Sequence, residues 1–445
     1  MKRPNIIFIV ADDLGFADLG CYGGRPAKFG EVSPVLDRLA AKGIKFTQGY
    51  SNSPVCSPTR FAMMTARYQY RLRGAAEEPI NSKARTSTTL GLPTDHPTLP
   101  SLLKGSGYRT ALMGKWHLGY PPTFGPLRSG YEEFFGPMAG GVDYFTHHSS
   151  SGVHDLWFGE EEKAEEGYLT DLITDRSADY IQRMAEGAKA GTPFFLSVHY
   201  TAPHWPWETR DDEALAQEVK DNLFHLHGGN IHTYQRMIHH MDEGIGKLMA
   251  TLEAHGLADS TLLVFTSDNG GERFSDNWPL VGGKMDLTEG GIRVPWIAHW
   301  PAAIAPGSVS TQHCLTMDWS ATMLDAAGVQ PEPNYALDGV SMLPVLKNPV
   351  HQFHRPLHWR MNHRGQRAMR DGDYKYLRVD GNDYLFNIPA DERERANLGK
   401  REPARLEAMR AAWEAWNATM PPIPEDATVS LGYSGKDMPQ RESAG

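Results

Sequence analysis

Residues 5–13, NIIFIVADD, form an unbroken apolar run that ends on two carboxylates. Strict alternation of apolar and polar residues is absent. The run therefore reads as a strand covered on both faces, with polar groups at its carboxyl end. The same shape recurs at YRTALMG before KWH, at PFFLSVHYTAPH, at STLLVFTSDNGGE and at VPWIAHWP. Helical patterns lie between these runs. VSPVLDRLAAKGIKF takes Ser33 as N-cap and closes at Gly43 before a further strand, TLPSLLKGSG follows, and a long helix is predicted from about Tyr234 to His255. Strands alternating with helices imply a parallel, doubly wound α/β sheet, in which ligands bind beyond the carboxyl ends of the strands.

The polar residues concentrate at those ends. Asp12/Asp13, Lys115/His117, His204 and Asp268/Asn269 each stand at or just past a predicted strand. Two carboxylates with a later Asp-Asn pair make an all-oxygen donor set suited to a hard cation, Ca²⁺ or Mg²⁺. Arg60, Lys115 and Lys284, with His117 and His204, supply donors for an oxyanion beside it. The chain as a whole carries 44 Lys and Arg against 54 Asp and Glu, a formal charge of −10, so nucleic acid is not an expected partner. The densest charge run, GEEEKAEEG at 159–167, is acidic and reads as a solvated loop.

Only three cysteines occur, Cys21, Cys56 and Cys314, with no CxxC pair, which excludes a disulfide framework and a structural zinc site. Cys56 stands in SPVCSPTRFAMMTARY, where Pro58 fits the first turn of a helix. A cysteine at that positive helix end, with Arg60 one turn on, is expected to have a lowered pKa and act as a nucleophile.

From about His351 the texture changes. RPLHWRM, YKYLRV and DYLFNI are short strand-like runs between turns, and Leu406, Met409, Trp413, Trp416 and Met420 step at helical spacing. The chain thus divides into an α/β unit, 1–350, and a C-terminal subdomain, 351–445, with a small antiparallel sheet, an amphipathic helix and an irregular tail after Pro421. No apolar run reaches the ~18 residues of a membrane span. The apolar run behind MKRP is too short for a signal peptide. As given, the chain reads as cytoplasmic, with the alternative of an exported protein whose signal has been removed.

CSPTR resembles the signature of the type I sulfatases, Cys-x-Pro-x-Arg followed by a helix ending in Thr-Gly-Arg. NIIFIVADDLGFADLGCYG, MGKWHLG, FTSDNGGE and EGGIRVPWIAHWP resemble further blocks of that family, in the family's order. The resemblance implies the alkaline-phosphatase-like α/β sandwich, a mostly parallel sheet between helices with a smaller C-terminal subdomain. It also implies that a maturase oxidises Cys56 to formylglycine, whose hydrate is the nucleophile. Asp12, Asp13, Asp268 and Asn269 would bind Ca²⁺ together with an oxygen of the modified Cys56. Arg60 and Lys115 would stabilise the hydrate, His117 would help break down the sulfated intermediate, Lys284 would hold the sulfate, and His204 would protonate the leaving alcohol. The family usually has Gly where this sequence has Ala66.

Two rival readings use the same cleft: a phosphonate monoester or phosphodiester hydrolase of the same superfamily, and a non-catalytic protein that binds sulfated glycans. The expected substrate is a sulfated small molecule or sugar. Trp205 and Trp207, beside His204, would either stack on its ring or pack the loop. His147, His148 and His154 are candidate pocket residues.

Overall fold

The computed structural model describes residues 3–219 and 228–431. Its centre is a ten-stranded sheet flanked by helices on both faces. Four neighbouring strands at its middle, Thr261–Ser267, Asn5–Ala11, Phe194–His199 and Arg109–Gly114, run parallel. Each is the apolar run recognised in the sequence. In Asn5–Ala11, Ile7 and Ile9 pack into one core, with helices Pro34–Lys42, Leu169–Lys189 and Ile231–Ala254. Ile6, Phe8 and Val10 pack into the other, with helices Leu99–Gly105 and Thr316–Ala326. Burial on both faces is why these strands show no polar alternation.

Register aligns the strand ends. Ala11 pairs with Ser267, Val10 with His199, and Gly114 with His199. The residues that follow, Asp12, Asp268 and Lys115, therefore emerge at one level of one sheet edge.

The sheet is mixed rather than wholly parallel. Trp296–His299, within VPWIAHWP, runs antiparallel to Thr261–Ser267 and to Ile44–Phe46. The 28 residues between it and the preceding strand hold only the four-residue helix Glu289–Ile292, not the long crossover helix that usually joins parallel neighbours. Ser33 takes the N-cap position but does not cap; its hydroxyl instead accepts from the Gly20 N–H at 3.0 Å.

The C-terminal part holds a four-stranded antiparallel sheet of Leu357–Arg360, Arg367–Asp371, Tyr374–Val379 and Asn382–Asn387. The second of these strands has no clear sequence signal. Helix Pro403–Asn417 lays Met409 and Trp413 against it, together with Leu406 and Trp416. Beyond Pro421 the chain returns to the main body, where Glu78 N–H donates to Thr428 O and Ser430 N–H to Glu78 O. Among the described residues, no helix is long and apolar enough to cross a membrane.

Candidate active site

Asp12 and Asp13 leave their strand through a turn in which Asp13 adopts φ 64°. That left-handed conformation is costly for a residue with a Cβ, and it turns two adjacent carboxylates toward one point. His117 does the same past its own strand, at φ 60°. Cys56 opens helix Cys56–Thr65, all of whose residues are buried. Its lead-in is pinned by Thr59 Oγ1, which accepts from Ser53 N–H and donates to Ser53 O, both at 3.0 Å. Ala66 closes the helix at φ 53°, a left-handed position that a glycine would occupy without the cost of a Cβ.

These elements bring together the catalytic and metal-ligand candidates named from the sequence. Lys115 Nζ donates to Asp12 Oδ2 at 2.6 Å, and Lys284 Nζ to Asp13 Oδ2 at 2.7 Å. Asn269 Nδ2 donates to Asp13 Oδ1 at 2.7 Å. Arg60 grips Asp268 Oδ2 through Nε at 3.0 Å and Nη2 at 2.8 Å, and its Nη1 donates to Lys115 O at 3.1 Å. His204 Nε2 lies 3.6 Å from Asp13 Oδ2. Its Nδ1 is 2.5 Å from Trp205 O; a carbonyl only accepts, so Nδ1 carries the hydrogen. His117 Nε2 likewise donates to Ile80 O at 2.8 Å.

The donor set fits a metal ion. Asp12, Cys56 and Asp268 each offer an atom within 4.8 Å of the others, as do Asp12, Asp13 and His204. Asp12 Oδ1 and Asn269 Oδ1 are buried without a hydrogen-bond donor among the described residues, and such oxygens are costly unless something positive meets them. Burial, with Asp268 beside it, pushes the Asp12 carboxyl up to about 8. A cation would reverse that penalty. Asp13 is held down at about 2, because Lys284 and His204 outweigh its own burial. Three carboxylates already face three cations, so an added dication leaves a positive surplus that attracts an anion.

Burial corrects the expectation for Cys56. The thiol is raised, not lowered: desolvation outweighs Lys115 and Lys284, and Asp12 and Asp268 add to the penalty. The unmodified thiol is thus a poor nucleophile here. Burial also holds the His117 and His204 imidazoles well below their usual range, reinforced by Lys115 and Lys284 respectively.

A cavity opens from Cys56, His117 and His204 between residues 79–82 with Arg85, Gly140 with Gly141, residues 149–151, and Ser430 with Leu431. Trp205 lines it, with its ring 4.4 Å from that of His204. Trp207 instead packs on Phe274 at 4.7 Å. His147, His148 and His154 do not line the cavity; the serines between them do. His147 is buried, and His148 and His154 stack edge-on at 5.6 Å.

Several contributors escape sequence reasoning. His199 Nδ1 lies 3.4 Å from Arg60 Nη1; its only sequence signal is its place as the last residue of a strand. Gly140 and Gly141 press on the two catalytic candidates: a Cβ on Gly140 would sit 2.4 Å from the His117 ring, and one on Gly141 2.9 Å from the His204 ring. Arg85, in the cavity wall, lies over Tyr120 and pairs with Glu162 at 2.7 Å.

The family described as Sulfatase matches residues 4–329, and the family described as N-sulphoglucosamine sulphohydrolase, C-terminal, matches residues 283–403. The chain is 34% identical over 368 residues to N-acetylgalactosamine-6-sulfatase of Mus musculus, covering 78% of this chain and 66% of that relative. It is 30% identical over 417 residues to steryl-sulfatase of Mus musculus, covering 78% and 65%. The chain therefore spans about two thirds of the length of these relatives. The crystal structure of Ps i-CgsB in complex with k-i-k-neocarrahexaose superposes with a TM-score of 0.81 at 32% identity, covering 93% of each chain.

Proposed function

The chain belongs to the sulfatase family, and from that membership we propose that it hydrolyses sulfate esters of sugars, releasing inorganic sulfate and the free hydroxyl, with Cys56 carried as formylglycine. One observation carries the reading. The Cys56 side chain shares a buried pocket of carboxylate oxygens with Asp12 and Asp268, at the inner end of a cavity that also exposes His117 and His204.

Asp12, Asp13, Asp268 and Asn269 would hold one divalent cation, Ca²⁺ by the family resemblance. When bound, the cation offsets negative charge on the reacting oxygens, and the formylglycine hydrate supplies a hydroxyl nucleophile that an unmodified, pKa-raised thiol does not. Every remaining role falls to this chain's own side chains. Arg60 fixes Asp268 and keeps its charge beside residue 56. Lys115 and Lys284 stand ready to exchange a carboxylate for a sulfuryl oxygen as charge grows there. His204 has its Nδ1 hydrogen committed to Trp205 O, so the proton it passes to the leaving oxygen must come from Nε2. That nitrogen is held unprotonated in the free site by burial and Lys284. An arriving sulfate ester brings the negative charge that raises the imidazole and loads the proton. His117, fixed by Ile80, is placed to take a proton when the sulfated residue breaks down.

A sugar substrate is supported by the cavity wall, where Asn81, Ser82, Ser149, Ser150, Ser151 and Ser430 offer hydroxyl and amide partners beside the aromatic rings of Trp205 and Tyr120. It is supported also by the neocarrahexaose complex of the 32%-identical neighbour.

The deciding experiment pairs the mass of the Cys56 peptide with turnover. The aldehyde form should hydrolyse sulfated oligosaccharides and p-nitrophenyl sulfate, and lose activity in step with the fraction of unmodified thiol. Full activity in protein whose Cys56 is entirely thiol, or a large preference for the matched phosphonate ester, refutes the reading.

A further inference from the structure

Lys284 lies on a loop, outside any helix or strand. Its neighbour Met285 sits at φ 75°, in the left-handed region, where an unbranched side chain with a Cβ stays only if its surroundings over-determine it. Three anchors do so. Lys284 N–H donates to Gly271 O at 3.1 Å, and Met285 N–H to Pro54 O at 2.8 Å, two residues before Cys56. The third anchor comes from the C-terminal subdomain, from the residue just before strand Arg367–Asp371. Gln366, 1% exposed, donates from Nε2 to Met285 O at 2.8 Å and accepts at Oε1 from Leu287 N–H at 2.8 Å.

The two bonds span Asp286, so the carboxamide pairs with the loop as a peptide group of a neighbouring strand would. Only Gln or Asn offers one donor and one acceptor in that plane, and Asn is a methylene shorter. Gln366 is itself held, with Nε2 also 3.2 Å from His363 O and its backbone O accepting from Met361 N–H at 2.9 Å. The same loop then delivers Lys284 Nζ to Asp13 at 2.7 Å.

We propose that Gln366 is a positioning residue for the reaction: it ties the Lys284 loop to the C-terminal sheet and so sets where the Lys284 ammonium meets the sulfuryl group. The proposal rests on the sulfate-holding role given to Lys284 above. It makes the C-terminal subdomain part of the catalytic assembly rather than a cover for the main sheet.

A double-mutant cycle tests it. Gln366→Leu should lower kcat/KM for p-nitrophenyl sulfate by about tenfold to a hundredfold, as expected when a charged group shifts by roughly an ångström. The same change in a Lys284→Ala background should cost less than about twofold, because the group it positions is gone. Equal losses in both backgrounds overturn the proposal. Gln366→Glu keeps the volume, but its ionised form turns an oxygen toward Met285 O, and it should follow Gln366→Leu in both backgrounds. It serves as the readout should the leucine variant not fold. Calorimetry with inorganic sulfate separates the two inferences without turnover. Binding to wild type that weakens about tenfold in Gln366→Glu upholds the positioning role even if no ester is hydrolysed; sulfate binding that the substitution leaves unchanged refutes it.

Discussion

Gly140→Ala is the sharpest test of how tightly the site is built. A Cβ at that position would stand 2.4 Å from His117 Cε1 and 2.6 Å from Nε2, whereas ordinary contacts begin at 3.4 Å. The ring must therefore move by about 1 Å or the loop must give. The ring is not free to move: His117 sits at φ 60° and Nε2 donates to Ile80 O at 2.8 Å. Overpacking of this kind costs about 1–3 kcal/mol of stability. A displacement of about 1 Å in a reacting group costs on the order of 10²-fold in rate, or about 2.7 kcal/mol of barrier. Gly141→Ala meets the His204 ring at 2.9 Å, half the intrusion, and should cost about tenfold or less. Gly105→Ala meets nothing within 4 Å and serves as the control. Steady-state kinetics on p-nitrophenyl sulfate with fully converted enzyme gives the ranking. Gly140→Ala retaining more than about a third of wild-type kcat/KM would refute the steric reasoning, as would Gly141→Ala being the worse of the two.

His204→Gln should slow hydrolysis of a sugar sulfate by roughly 10²–10⁴-fold but that of p-nitrophenyl sulfate far less, since a good leaving group needs little protonation; equal losses on both argue against a general acid. Burial and the neighbouring Asp143 push the Glu208 carboxyl up to about 9, so the stability of its protonated form is present below about pH 4.3 and drains away as pH rises toward 9. Glu208→Gln should accordingly melt higher than wild type at pH 8–9 and alike near pH 5, and a parallel pair of melting-temperature profiles would contradict this. Trp205→Ala and Trp207→Ala should each destabilise by about 3–5 kcal/mol, since both side chains are buried, but only Trp205→Ala should raise KM for an oligosaccharide; denaturation and kinetics on both decide. Chelator treatment should abolish activity, and Ca²⁺ at a hundredfold over its Kd should restore it and add about 2.7 kcal/mol of stability; a thermal midpoint indifferent to Ca²⁺ rules out a cation held by the folded site.

The chain's local order determined much of this protein. Apolar runs that end in Asp12-Asp13, in Lys115 and His117, or in Asp268-Asn269 carry strand, turn and chemistry in one contiguous stretch, so the parallel core and its ligand-bearing edge are legible without coordinates. The Cys56 pentapeptide is legible for the same reason. Tertiary structure decided what depends on residues far apart. Level strand ends follow from ladders such as Ala11 with Ser267, which no local signal fixes. The antiparallel course of Trp296–His299 depends on how a loop returns, not on the strand's composition. The raised Cys56 thiol reverses the helix-end expectation because desolvation is a property of packing, and here it outweighs two lysines. Trp205 and Trp207 look alike in HWPWE, yet one faces the cavity and the other packs on Phe274. Gly140 against His117, and Gln366 against the Lys284 loop, are contacts across long stretches of chain. Sequence proximity specifies which groups can react; the distances that let them do so are set by packing and hydrogen bonds between distant segments.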